Sequence, residues 1–149
     1  MSSEIEAFEK ELEVRWGDCD ANRHVRHSAY YDFGAHARIR FFAEKGFGSA
    51  EMARLNIGPV LFKEECSFIR ELMMEDVIRV NFLKGELSHG GARWILHHEI
   101  FNETGKAAHI TITGAWMDLK ARKLITPPEK VSRLFDNLPQ GEVYQYKKG

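Results

Sequence analysis

Long apolar runs are missing from this chain, and no stretch approaches the ~20 residues that span a membrane. Cysteine is scarce. Cys19 and Cys66 form neither a C-x-x-C pair nor a zinc-type spacing, so two free thiols in a reducing compartment are expected. Cys19 stands between Asp18 and Asp20, whose charges disfavour a thiolate and argue against a cysteine nucleophile. Neither sign of charge is in excess. Lys and Arg number 21 against 22 Asp and Glu, a net charge of −1, which gives no reason to expect a nucleic-acid surface. Residues 1–11 are acidic and polar, without the charged-then-apolar order of a signal peptide, and the expected location is cytoplasmic. The sequence shows no repeat, low-complexity segment or linker. One domain is expected over residues 1–149, with a core from about 10 to 138 and a loose tail over 139–149.

Hydrophobic residues make up 44% of the 149 and charged residues 29%, the balance of a globular chain able to bury a core. The spacing predicts a strand over 11–16, with Leu12, Val14 and Trp16 on one face. A polar loop follows over 17–27. Ser28 is placed to cap a helix reaching about Lys45, whose apolar stripe is Tyr30, Phe33, Ala37 and Phe41. Gly34 lies beside that stripe. A helical glycine costs about 1 kcal/mol relative to alanine, which is tolerable where the backbone packs closely on a sheet. Gly46 supplies a stop, and residues 49–55 a short helix or turn.

Period-two patterns then predict strands. Val60, Phe62, Cys66 and Phe68 share a parity that Glu64 breaks; further sets are Ile78, Val80 and Phe82, then Trp94, Leu96 and Ile100, then Ile110, Ile112 and Trp116. Short turns at 88–91 and 102–105 imply antiparallel neighbours. Pro127-Pro128 opens a last helix to about Asn137. The predicted fold class is α+β, one long helix on a five-stranded antiparallel sheet. The uncovered face and edges call for self-association.

Chemistry concentrates in Trp16-Gly17-Asp18-Cys19-Asp20-Ala21-Asn22-Arg23-His24-Val25-Arg26-His27-Ser28, between a strand and a helix. Asp20, Asn22 and His24, spaced by two, offer a carboxylate, an amide and an imidazole, a set that can hold water, orient a carbonyl and move a proton. The helix N-terminus adds unpaired N–H groups and a positive dipole end suited to an oxyanion. Each residue also has a plainer reading. Asp20 can cap a turn, Asn22 can stabilise the loop, His24 can be a packed histidine, and Asp18 can shape the loop. The His24/His27 spacing is weak evidence for a metal, and none is assigned. Tyr30 and Tyr31 suit core or interface. Glu64 or Glu65 can activate water, though a solvated carboxylate is the plainer role.

Gly17-Asp18-Cys19-Asp20 resembles the G-D-C-D of the 4-hydroxybenzoyl-CoA thioesterases, and Asp20-Ala21-Asn22-Arg23-His24-Val25 resembles the D-x-N-x-H-V of the acyl-ACP thioesterases. Both are hotdog-fold families. The motif spans about fifteen residues, while the likeness in element order runs from about Leu12 to Pro128. The resemblance implies hydrolysis of an acyl-CoA or acyl-carrier thioester, with Asp20 as general base or nucleophile. It implies a backbone N–H at His27 and the start of the Ser28 helix polarising the carbonyl. No cofactor is implied, CoA entering as part of the substrate, and Arg93, Arg122 and Lys123 are candidates to meet its phosphates. The implied assembly is a homodimer, or a homotetramer built as a dimer of dimers. Two departures stand out: Arg23 replaces a glycine common among relatives, and Arg26-His27 replaces the Asn-Asn of the acyl-ACP type. A non-catalytic acyl or CoA binder and a hotdog enoyl-CoA hydratase are the alternative readings, the latter weakened by the absent proline and the early position of the segment.

Overall fold

The computed structural model describes residues 5–146. Its elements run in the order β1 (Glu9–Glu13), α1 (His27–Glu44), α2 (Ser49–Leu55), β2 (Ile57–Phe68), β3 (Val77–Asn81), β4 (Leu83–Ser88), β5 (Arg93–Asn102), β6 (Gly105–Asp118), β7 (Lys123–Leu124) and α3 (Glu129–Asp136). The sheet order is β1-β3-β5-β6-β2, with β4 on β5 and β7 on β6. Every named pairing is antiparallel. Val80 opposite Ile100 and Leu83 opposite His97 hold one register, so β3 and β4 are two lengths of a single ribbon interrupted at Phe82. The sheet is therefore five ribbons wide, as its pattern predicts, and curls around α1 as the α+β hotdog fold.

The predicted stripe seats the helix. Tyr30, Phe33, Ala37 and Phe41 are all buried, and so is Gly34. A Cβ at Gly34 would stand 3.1 Å from the His98 ring and 3.3 Å from Ile110, so the missing side chain is what lets α1 lie this close to β5 and β6. On the sheet, Ile78, Val80, Phe82, Leu96, Ile100, Ile110, Ile112 and Trp116 form the facing layer. Gly46, at φ 79°, ends α1 as expected.

Four expectations need correction. The first strand ends at Glu13, and Trp16, expected on its inner face, sits in a 3-10 turn with 83% of its surface exposed. Ser28 is not the cap: α1 begins at His27 with Arg26 in the cap position. The parity assigned to β2 holds for Cys66 and Phe68 but fails for Val60 and Phe62, because a bulge between Leu61 and Lys63 shifts the register. Pro59 and Leu61 pair with Trp116 and Gly114 before it, Glu64 and Cys66 with Ile112 and Ile110 after it, so the inner face passes from odd to even numbers. Finally, the tail does not hang loose where it is described. The Gly141 N–H donates to the Lys84 carbonyl at 2.7 Å and Tyr144 packs over His109 on the outer face; residues 147–149 lie outside the described part.

Three histidines are buried neutral. Burial pushes His98 down to about 3, with the nearby Arg38 adding to the shift, and His109 to about 4; burial also lowers His97. Groups held below their unfolded value bind fewer protons folded than unfolded. Their penalty is nil above about pH 6.5 and grows as pH falls toward 4. Chemical denaturation at pH 7 and pH 4.5 should show a loss on the order of 4 kcal/mol at the lower pH; equal stability at both would contradict the neutral assignments.

Candidate active site

Backbone hydrogen bonds fold residues 18–26 into a tight loop before α1. The Asp20 N–H donates to the His24 carbonyl at 2.8 Å, and the Arg23 N–H to the Asp20 carbonyl at 3.1 Å. Val25 donates to Leu72, and Met74 to Arg23, which tie the loop to residues 72–74. Tyr30 reinforces this, its hydroxyl accepting the Leu72 N–H. Asp18 is the buried hub. Its carboxylate accepts the Arg15 backbone N–H and the Arg15 guanidinium, each at 2.9 Å, and its own carbonyl accepts the Arg26 N–H. Burial opposes the Asp18 charge, but the Arg15 contacts outweigh burial and hold the carboxyl below its ordinary range.

Asp20 is exposed in this chain. Its Oδ1 accepts the N–H of Asn22 at 2.8 Å and of His24 at 3.2 Å, the turn-capping arrangement, and Oδ2 has no hydrogen-bond partner among the described residues. It borders a cleft of about 380 Å³ with Trp16, Gly17, Cys19, Arg23 and Met74. The Asn22 amide projects from the loop, and His24 Nε2 lies 3.3 Å from Glu71. His27 and Ser28 open α1, both exposed. The first turn of the helix carries no acid and no side-chain cap, and the Ser28 hydroxyl accepts from Arg26 instead. The His27 and Ser28 N–H groups have no acceptor among the described residues, which leaves an open, positive helix end next to the Asp20 loop.

Asp20, Asn22, His24, His27 and Ser28 thus share one corner. Arg93, Arg122 and Lys123 do not join them. Lys123 pairs with Asp118, the Arg122 N–H donates to the Asp118 carbonyl, and Arg93 lies opposite Ala115 with its guanidinium over the Phe62 ring. The Asp20 corner lies at the other end of the sheet, where Tyr30 packs edge-on to Phe68 and Phe68 pairs with Ala108. From Ala108 to Ala115 is roughly 23 Å of strand. A second cavity, of about 320 Å³, shares the basic end; Arg38, Phe42, Leu61, Trp94, Trp116 and Phe135 are among its walls. Gly114 makes room for Trp94 there, since a Cβ would collide with the indole.

Sequence reasoning missed two residues of this region, Arg38 and His98. His98 Nδ1 lies 2.6 Å from the Asn81 carbonyl, which assigns the proton to Nδ1 and leaves Nε2 to accept from Arg38 Nη1 at 3.1 Å. The signal was Gly34, one turn before Arg38 on the same helix face. Side chains of a helix lean toward its N-terminus, and a Cβ at Gly34 would stand 3.7 Å from Arg38 Nη1. Among the described residues no cluster of three or more His, Cys, Asp or Glu is arranged to hold a metal, and no helix is long and apolar enough to cross a membrane.

A family model for the thioesterase-like superfamily matches residues 14–135. A curated protein of Aquifex aeolicus (strain VF5), whose name assigns it provisionally to the esterases, is 32% identical over 75 residues; the match spans half of this chain and 59% of that protein. Among solved structures, a Staphylococcus aureus protein in complex with CoA superposes with a TM-score of 0.84 at 18% identity, over all of this chain and 98% of that one. A 1,4-dihydroxy-2-naphthoyl-CoA thioesterase from Synechocystis gives 0.79 at 15% identity, over 89% and 98% of the two chains. At these identities the structural likeness speaks to fold.

Arg23, the departure from glycine in the motif, has φ 65°. A side chain in the left-handed region costs roughly 1 kcal/mol. Arg23→Gly should therefore raise unfolding free energy by up to about 1 kcal/mol. A clear loss of stability in denaturant melts would show that the arginine side chain holds the loop.

Proposed function

Because this chain belongs to the thioesterase-like superfamily, we propose that it hydrolyses acyl-CoA thioesters at a site completed by a second copy of itself. The observation that carries this reading is the open helix end beside Asp20. Two N–H donors on a positive dipole end suit the oxygen of a thioester as it gains charge, and the carboxylate is adjacent in the same loop. Acting as general base, Asp20 takes a proton from water as the water oxygen bonds to the acyl carbon. The carbonyl oxygen takes the negative charge against the His27 and Ser28 N–H groups. When the carbonyl re-forms, the C–S bond breaks and the thiolate leaves with the proton. As nucleophile, Asp20 would instead form an acyl anhydride that water then cleaves. A thioester on a carrier protein presents the same carbonyl.

The second copy follows from the two edges of the sheet. β1 is short and its outward Glu9, Glu11 and Glu13 discourage pairing. Among the described residues β2 is long and unpaired along one side, with Leu61 and Phe62 at 47% and 52% exposure. Antiparallel pairing of two β2 edges about a two-fold axis near the bulge would set each Asp20 corner against the partner's cavity and its basic residues. In that dimer Arg93, Arg122 and Lys123 would be available to CoA phosphates. The CoA-bound Staphylococcus aureus neighbour and the naphthoyl-CoA thioesterase from Synechocystis are consistent with this class of substrate.

Thiol release from a panel of acyl-CoAs tests the activity. Asp20→Asn should lower kcat by at least ~10²-fold and leave the fold intact. His27→Ala should keep most of the activity, because the donor is main-chain. A folded Asp20→Asn protein with parental turnover would remove Asp20 from the mechanism. An equal loss in His27→Ala would assign the chemistry to the imidazole.

A further inference from the structure

A second polar cluster sits on the outer face of the sheet, away from α1. His97 on β5 and His109 on β6 are diagonal neighbours there, opposite Thr111 and Glu99. Both rings are buried. His109 Nε2 and His97 Nδ1 stand 3.1 Å apart, and the Thr111 hydroxyl is 3.1 Å from the same His97 nitrogen. A single proton between the rings makes the first of these bonds. His109 Nδ1 is buried without a partner. The segment after α3 covers this pair. The Pro139 carbonyl accepts the Lys84 N–H at 2.9 Å, and the Gly141 N–H returns to the Lys84 carbonyl at 2.7 Å. Gly141 is pressed onto the sheet: a Cβ there would stand 2.8 Å from Leu83 Cβ and 3.0 Å from His97 Cδ2. The Tyr144 ring packs over His109 with centroids 6.1 Å apart, and Lys106 Nζ lies 5.3 Å from the centre of the Tyr144 ring. A cavity of about 530 Å³ remains between segment and sheet, with Lys106, His109 and Tyr144 among its walls.

We propose that residues 139–146 are a proton-released strap: protonation of the His97–His109 pair lifts the segment off the outer face while the rest of the domain stays folded. A protonated pair has one more N–H to satisfy and one charge to solvate, and the covered face offers neither acceptor nor water. The surrounding charges do not supply them. Glu99 on β5 is the nearest carboxylate, and its oxygens are taken by Lys106 and the Asn81 amide. Lys106 on β6 repels an imidazolium. Lys84 on β4 holds the Asp136 carbonyl through its ammonium group. Glu65 on β2, opposite Thr111, is paired with Lys63. Glu142 on the strap is exposed and pairs with neither ring. Burial is the largest influence and holds His109 down to about 4; it lowers His97 as well. With the strap lifted, water reaches both rings and they return toward the ordinary value of about 6.5. The open form therefore binds more protons than the closed one. Closure is fully favoured above about pH 6.5 and weakens as pH falls toward 4. The strap can move alone because little ties it down. Val143 and Tyr146 are 61% and 67% exposed, and release stops at Leu138, which is buried in the core.

Residue-resolved hydrogen exchange on the full chain tests this, with rates corrected for the intrinsic effect of pH. The Lys84 and Gly141 amides report the strap, and the Ile110 amide reports the core. Between pH 7 and pH 5 the two strap amides should lose protection by about 10-fold or more, while Ile110 exchanges far more slowly than either at both values. The double variant His97→Gln, His109→Gln keeps side-chain hydrogen bonding without a titrating ring, and its strap should be equally protected at both pH values. Equal protection of the parental strap at pH 7 and pH 5 would overturn the proposal. So would loss of strap and Ile110 protection together, or a pH response that survives in the folded double variant. If that variant does not fold, Gly141→Pro serves instead, since it removes the N–H bound to Lys84 and adds bulk against Leu83. Its strap amides should be unprotected at pH 7, and His109 should titrate at least about one pH unit higher than in the parental protein. An unchanged His109 titration with the strap open would overturn the proposal.

Discussion

The close seating of α1 on the curled sheet governs the rest of the molecule. Gly34 removes the one side chain that would hold the helix away from His98 and Ile110, and the buried stripe of Tyr30, Phe33, Ala37 and Phe41 fixes which face it presents. Direction then matters as much as depth. The helix starts at the Phe68 end of β2, so its unpaired N–H groups and the Asp20 loop lie there. Its second half runs toward Pro59 and Leu61, where the packing opens into the aromatic cavity. A single chain carries both halves of the proposed thioester site at opposite ends of one sheet.

That separation gives a physical role to the long β2 edge. A 12-residue strand with exposed Leu61 and Phe62 at its centre is a template for another strand, and an antiparallel copy reverses the ends. In the proposed dimer, self-association would complete the site and cover the edge in one step. The bulge at the middle of β2 turns Leu61 inward before it, onto the cavity, and Glu64 inward after it, beside Arg38. Without that extra residue, Glu64 would face outward and Arg38 would have no carboxylate nearby.

Much of this was legible in the sequence. The helix stripe and the alternation of Ile78, Val80, Ile110 and Ile112 follow from period, and the role of Gly34 and the stop at Gly46 from what a glycine permits at those positions. The Asp20-Asn22-His24 cluster was legible as a motif, and the structure gathers it at the start of α1. Three things were hidden for identifiable reasons. A bulge changes strand parity without marking the sequence strongly, so the first half of β2 was read on the wrong face. Trp16 continued an alternation that the Asp18–Arg15 contacts interrupt by closing a 3-10 turn. Arg38 and His98 are polar residues on apolar faces, and their mutual hydrogen bond, the His98 bond to the Asn81 carbonyl and the Glu64 carboxylate beside Arg38 explain why burial is tolerated.

The central claim is that each site takes its loop from one subunit and its cavity from another. Subunit mixing tests it most directly. Asp20→Asn disables the loop, and Ala35→Trp fills the cavity, whose wall includes Ala35. Each variant alone should be inactive. In a heterodimer, one site inherits both defects and the other inherits neither, so random mixing in equal amounts should restore roughly a quarter of parental activity. No recovery after confirmed subunit exchange, or full activity in a stable monomer, would contradict the account.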